Sequence, residues 1–171
     1  MTTIATIGVV GAGAMGRGIA VSLLEAGLTV SLLESDGGAR EAAANWIRDH
    51  YRRQMEQRRL SPERMEQTLS RFASVQRYEE ARDVDLAIEA VFEDMGVKLD
   101  VMRALDRAIR PEAILATNTS SLDVNELAAA TGRPQQVLGL HFFNPAQVMK
   151  PVEVIRADKT APEVLEAAIE L

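Results

Sequence analysis

Short apolar runs alternate along the chain with longer segments of helical periodicity. Residues 4–10 are rich in β-branched side chains, and Gly11-Ala12-Gly13 breaks the run. Residues 15–25 carry Ile19, Leu23 and Leu24 at helical spacing, and Gly27 stands where a left-handed residue ends a helix. Residues 28–33 read as a second buried strand and 39–59 as a long, charged helix. Ser61-Pro62 offers an N-cap followed by proline at the first helical position, so a further helix starts there. Residues 84–90 and 113–117 are apolar strands. Between them 97–109 is amphipathic, with Val101, Leu105 and Ala108 on one face. The pattern then predicts a helix at 124–130, a turn at Gly132-Arg133-Pro134 and strands at 137–141 and 152–155. Thr160-Ala161-Pro162-Glu163 has the spacing of a capping box and opens a final helix that runs to Leu171.

Near-continuously apolar strands alternating with helices predict an α/β fold: Rossmann-type, doubly wound, with a mostly parallel sheet covered on both faces. The 171 residues suffice for one domain with a real core, and no repeat, low-complexity tract or linker divides residues 1–171. With 47% apolar and 26% charged residues, the chain has the balance of a soluble folded protein. No apolar run approaches the roughly 20 residues of a membrane helix. Met1-Thr2-Thr3-Ile4 enters the first strand directly, so neither a signal peptide nor a membrane partner is expected. The absence of cysteine excludes disulfides and thiolate catalysis and fits a cytoplasmic protein. A net charge of −6 argues against nucleic acid as a partner. Arg48, Arg52, Arg53, Arg58 and Arg59 stand against that background and read as a solvated helix face. No metal site is expected.

Gly11-Ala12-Gly13-Ala14-Met15-Gly16 matches G-x-G-x-x-G and lies between a predicted strand and a predicted helix, as its mechanism requires. Gly11 would make the tight turn and Gly13 would let the backbone approach a pyrophosphate. Gly16 would let helix and strand pack closely, with the helix N-terminus facing the anion. Glu34 ends the second strand at about the 20-residue distance of a ribose-binding acid. A carboxylate there suits both ribose hydroxyls of NAD and repels the extra phosphate of NADP. NAD is therefore the expected cofactor.

Four further segments, with the glycine motif and its continuation Arg17-Gly18-Ile19-Ala20, resemble the 3-hydroxyacyl-CoA dehydrogenase family. They are Ile88-Glu89-Ala90-Val91-Phe92-Glu93-Asp94, Thr117-Asn118-Thr119-Ser120-Ser121-Leu122, Gly139-Leu140-His141-Phe142-Phe143-Asn144-Pro145 and Lys150-Pro151-Val152-Glu153-Val154-Ile155. The resemblance implies that Glu93 and Lys98 contact the cofactor on its ribose and nicotinamide side. It makes Ser120 a hydrogen-bond partner of the substrate's 3-oxygen, His141 the general base and Glu153 its partner, with Asn144 positioning nicotinamide and substrate. The bland readings beside these are an ordinary helix-surface lysine for Lys98, a solvent-facing strand residue for Glu153, a helix cap for Ser120 and an exposed side chain for His50.

The chemistry agrees with those roles. Oxidising a secondary alcohol requires loss of a hydride and of the hydroxyl proton, and a neutral imidazole suits the proton. A carboxylate on the other ring nitrogen fixes the tautomer and stabilises the imidazolium. Gly11, Glu34, Ser120 and His141 all fall at carboxyl ends of predicted strands, where open parallel sheets collect ligands.

The resemblance also implies an acyl-CoA thioester substrate, (S)-3-hydroxyacyl-CoA oxidised to 3-oxoacyl-CoA, in fatty-acid β-oxidation or butanoate-type metabolism. It implies a following helical domain that carries the acyl-chain site and a homodimer interface, and nothing here corresponds to that domain. The chain is thus expected to be the N-terminal domain alone, binding NAD with little or no turnover because the active-site enclosure is incomplete. His50 and Gln57 fall near the family's CoA-contacting places, and Arg52 and Arg53 are candidate phosphate neighbours. Two alternatives stay open: an NAD-dependent dehydrogenase of a non-CoA hydroxyacid, and a nucleotide-binding module without turnover.

Overall fold

A computed structural model describes residues 3–171; Met1 and Thr2, read above as leading straight into the first strand, lie outside the described residues. Seven strands form one sheet: β1 (Thr6–Val10), β2 (Thr29–Leu33), β3 (Phe72–Val75), β4 (Leu86–Glu89), β5 (Ile114–Thr117), β6 (Val137–Phe142) and β7 (Val152–Arg156). The helices are α1 (Ala14–Glu25), α2 (Gly37–Glu56), α3 (Pro62–Leu69), α4 (Met95–Ala108), α5 (Val124–Ala129) and α6 (Pro162–Ile169), with 3-10 turns at Tyr78–Ala81 and Pro134–Gln136. The strand order is β3-β2-β1-β4-β5-β6-β7, parallel throughout except for the antiparallel pair β6 and β7. The order reverses between β1 and β4, which opens a crevice at their carboxyl ends.

Successive strand residues enter different cores. Ile7, Val9, Leu86, Ile88, Ile114 and Ala116 pack on one face with Ile19, Leu24 and Ile47 of α1 and α2. Val10, Ala87 and Leu115 pack on the other with Met102, Leu105 and Leu127 of α4 and α5. Each large apolar side chain so buried contributes about 1.5–3 kcal/mol. Polar N-caps start α2, α3 and α4. Asp36 accepts from the Ala39 N–H at 2.7 Å, Ser61 from Arg64 at 3.3 Å and Asp94 from Val97 at 2.9 Å. Pro62 follows Ser61 at the first helical position, as the dipeptide predicts, and Gly27 (φ +90°) ends α1.

The structure corrects the sequence reading in five places. β3 is a seventh strand that the pattern did not reveal; it is four residues long, lies at the sheet edge and is nowhere fully buried, so it carries no apolar run. α2 stops at Glu56, and Arg58 turns into the left-handed region with φ 56°. Ala108 is only half-buried. The buried stripe of α4 is Lys98, Val101, Met102 and Leu105, a spacing of i, i+3, i+4, i+7. Thr160 makes no capping box: its Oγ1 donates to the Val137 carbonyl at 2.7 Å and accepts from the Ala157 N–H at 2.9 Å, because those buried backbone groups need partners. α6 is capped by Ala161 without a side-chain bond. His50 is 19% exposed rather than solvated, stacked on Trp46 and edge-on to Tyr51.

Candidate active site

A cleft of about 670 Å³ lies over the carboxyl ends of β1, β2, β4, β5 and β6, lined from Gly11–Met15 across Glu34, Glu93 and Ser120 to His141 and Asn144. Gly16 and Lys98 are buried behind its wall, and Glu153 lies outside the lining, exposed beside His141.

The loop after β1 begins with Gly11 at φ +102°, its N–H bonded to the Leu33 carbonyl at 2.9 Å. A side chain at Gly16 would fall on the Gly11 carbonyl oxygen, so α1 can follow β1 this closely only with glycine there. A Cβ at Gly13 would meet nothing within 4 Å: its space is part of the cleft. Glu34 accepts from the Ala12 N–H at 3.2 Å and the Asp36 N–H at 3.0 Å, which aims the acid at the glycine loop. This cradle fits a dinucleotide. Open space over Gly13 and the start of α1 suit a pyrophosphate, and the adjoining carboxylate suits ribose hydroxyls.

At the other end, His141 and Glu153 are register partners on β6 and β7, and Nδ1 lies 2.8 Å from Oε2. Glu153 is 60% exposed yet paired, so its solvent-facing position and its contact with the histidine coexist. The Phe143 ring packs against the imidazole, with centroids 4.8 Å apart. With Nδ1 turned to the carboxylate, Nε2 is the nitrogen left to exchange a proton with a ligand. Asn144 follows in the loop that leaves β6, and the Asn144–Pro145 peptide is cis.

Between these ends the loops after β4 and β5 are tied together. Glu93 accepts from the Ser120 N–H at 3.0 Å and from the Thr119 hydroxyl, and Lys98 Nζ lies 3.2 Å from its other oxygen. Burial pushes the Glu93 carboxyl up, but those hydrogen bonds and the Lys98 charge outweigh it and hold it below the ordinary value. Ser120 therefore points its backbone at Glu93 and does not cap α5, whose N-cap is Asp123. Lys98 is no surface lysine. It is 1% exposed and bonded at 2.6 Å to Glu89, which is fully buried at the end of β4.

The sequence reading gave no role to Glu89 or Asn118. Asn118 lines the cleft, and its Oδ1 accepts from the Phe142 N–H at 2.8 Å, joining the β5 loop to the histidine strand. A lysine on the apolar stripe of an amphipathic helix, and a glutamate closing an apolar strand, were the available signals. Among the described residues no group of three or more His, Cys, Asp or Glu could hold a metal ion, and no helix is long and apolar enough to cross a membrane.

The family model for the 3-hydroxyacyl-CoA dehydrogenase NAD binding domain matches residues 6–171. A probable 3-hydroxybutyryl-CoA dehydrogenase of Bacillus subtilis is 41% identical, over 91% of this chain and 54% of its own length. The peroxisomal bifunctional enzyme of Cavia porcellus is 42% identical, over 98% of this chain and 23% of its own length. The crystal structure of 3-hydroxybutyryl-CoA dehydrogenase from Escherichia coli superposes with a TM-score of 0.94 at 37% identity, covering 98% of this chain and 36% of that one. The chain thus spans about half the length, or less, of the relatives it matches. A Rossmann-type sheet, a dinucleotide cradle at its switch point and this match over nearly every residue identify the chain as a member of the 3-hydroxyacyl-CoA dehydrogenase family, in its NAD-binding domain.

Proposed function

We propose that the protein oxidises (S)-3-hydroxyacyl-CoA to 3-oxoacyl-CoA with NAD, in fatty-acid oxidation or butanoate-type metabolism. The observation that carries this reading is the His141–Glu153 pair, at 2.8 Å on adjacent strands, with His141 lining the cleft that begins at the glycine loop. NAD bound in the cleft supplies the acceptor for the hydride that leaves the substrate's C3. Gly11 to Gly16 would hold its pyrophosphate, with the backbone of Ala12, Ala14 and Met15 along the same loop. Glu34 would hold its adenosine ribose, and Glu93 and Asn144 would flank its nicotinamide end, with Lys98 acting from behind through Glu93.

His141 takes the hydroxyl proton on Nε2 as the carbonyl forms. Glu153 keeps Nδ1 protonated beforehand and stabilises the imidazolium afterwards. Ser120 donates from its hydroxyl to the 3-oxygen, and its seat on Glu93 fixes where that donor sits. These are the residues' proposed roles. The cytoplasmic setting, the acyl-CoA partner and a homodimer formed through a further helical domain belong to the same proposal. The greater length of the relatives supports the further domain, which would wall the open side of the cleft and exclude water.

Calorimetric titration of the chain with NAD and with NADP tests the cofactor; binding of NAD in clear preference to NADP is expected. The full-length protein then tests the substrate. Oxidation of 3-hydroxybutyryl-CoA, with free 3-hydroxybutyrate left untouched and with a fall of about 10²–10⁴-fold in His141→Gln, is the expected result. Equal oxidation of the free acid would overturn the CoA part of the reading.

A further inference from the structure

Glu89 is a buried charge that the proton transfer does not use. Its Oε1 accepts from Lys98 Nζ at 2.6 Å and from the Val91 N–H at 2.8 Å, and its Oε2 accepts from the Thr117 hydroxyl at 2.7 Å. The Thr117 oxygen in turn accepts from the Thr119 N–H at 3.2 Å, the Thr119 hydroxyl donates to Glu93, and Lys98 returns to Glu93 at 3.2 Å. The ring closes on itself and joins β4, α4 and β5 beneath the cleft.

Stability alone does not explain it. A buried ion pair is commonly no better for the fold than apolar side chains of the same volume. What the ring does fix is charge, since it holds two carboxylates and one ammonium. Lys98 sits closer to the buried Glu89 than to Glu93, and Glu93, 38% exposed, lines the cleft together with Ser120 and His141. With Glu89 in place the cluster carries one net negative charge, and its exposed member faces the ligand. With Glu89 neutral, Lys98 and Glu93 would cancel.

We propose that Glu89 is a positioning residue that sets the charge of the cleft floor, holding Lys98 so that Glu93 keeps net negative charge and favours the oxidised, cationic nicotinamide over the reduced, neutral one. This rests on the reading of the cleft as an NAD site. The substrate's C3 has to lie between His141 and the hydride acceptor, and Ser120, seated on Glu93, lines that same space. Coenzyme redox state and cluster charge are then close enough to interact.

Calorimetric titration of the full-length protein with NAD and with NADH, in the wild type and in Glu89→Gln, tests the proposal. The variant keeps the size and removes the charge, with its amide oxygen left to Lys98 and Val91 and its NH2 turned to the Thr117 oxygen, which must then accept. The ratio Kd(NAD)/Kd(NADH) is expected to rise about three- to tenfold. Thr117→Val, which loses two hydrogen bonds of the ring and no charge, is expected to leave the ratio at its wild-type value. Should Glu89→Gln fail to fold by circular dichroism, the double variant Glu89→Leu/Thr117→Val replaces acid and hydroxyl together by apolar groups and carries the same expectation of a raised ratio. An unchanged ratio in the charge-removing variant, with both affinities weakened alike, would reduce Glu89 to a scaffold residue and overturn the proposal. Failure of the wild type to bind either coenzyme is a different result: it overturns the NAD reading, and this inference with it.

Discussion

At Gly13 a side chain would touch no protein atom within 4 Å, whereas at Gly16 it would strike the Gly11 carbonyl oxygen. Substitution should therefore separate binding from folding. Gly13→Val is expected to keep the wild-type melting temperature and lose NAD binding, read by scanning calorimetry and titration of the same sample. Gly16→Val is expected to lose about 1–3 kcal/mol or more of stability, because α1 must move off β1. Glu153→Gln, isosteric but without the charge, should lower kcat by about 10²-fold or more while leaving the Kd for NAD unchanged. Steady-state oxidation of 3-hydroxybutyryl-CoA by the full-length protein of the proposed reading checks the first half and titration the second. Residues of this kind were legible in the sequence because turn chemistry and strand position are local properties. Glu89 was not: its burial is created by Lys98, nine positions on, and Thr117, 28 positions on.

Arg133 illustrates what a single side chain does for an element. It is 6% exposed, and its guanidinium donates to the carbonyls of Asp106 at 2.7 Å, Ile109 at 2.8 Å and Arg110, and to the Asp106 carboxylate at 2.8 Å. These are the carbonyls at the end of α4, which have no partner within the helix. Arg133→Met should cost about 3–5 kcal/mol in urea unfolding, since it leaves Asp106 and the helix end unpaired. NAD affinity should not change, because Arg133 precedes β6 and lies at the amino end of the sheet, away from the cleft. Periodicity revealed α1, α4 and the central strands because their burial is continuous. It missed β3 because an edge strand buried on one face at most leaves too few apolar positions to read. It misplaced Ala108 because the face of α4 turned inward is decided by the sheet beneath it, and that face includes a lysine.

The response of the whole molecule to pH follows from three paired carboxylates. Burial pushes the carboxyls of Asp85, Glu93 and Asp106 up, but it is outweighed in each case. Donors at Ala5 and Thr6 and the charge of Arg110 hold Asp85 down; Thr119, Ser120 and Lys98 hold Glu93 down; Gly132 and Arg133 hold Asp106 down. A folded value below the unfolded one contributes stability that is fully present above about pH 4 and is lost as pH falls through the folded values. Melting temperatures recorded from pH 7 to pH 2 should therefore hold level and then drop below about pH 4. On the alkaline side, burial and the Glu25 charge push Tyr51 up against the opposing Arg71, and burial pushes Tyr78 up. Their contribution is complete below about pH 10 and should fade as pH rises above it. By itself the sequence determined the layered α/β architecture, the glycine loop with its acid and the order of segments that marks the family. Each is written in short-range spacing or in a run of residues that one element contains. Only the tertiary structure decided that Lys98 is a buried cation shared by two carboxylates, that Glu89 belongs beneath the site and that Asn118 braces the histidine strand. Those facts depend on which strands become neighbours, and strand order is settled by packing across the whole sheet.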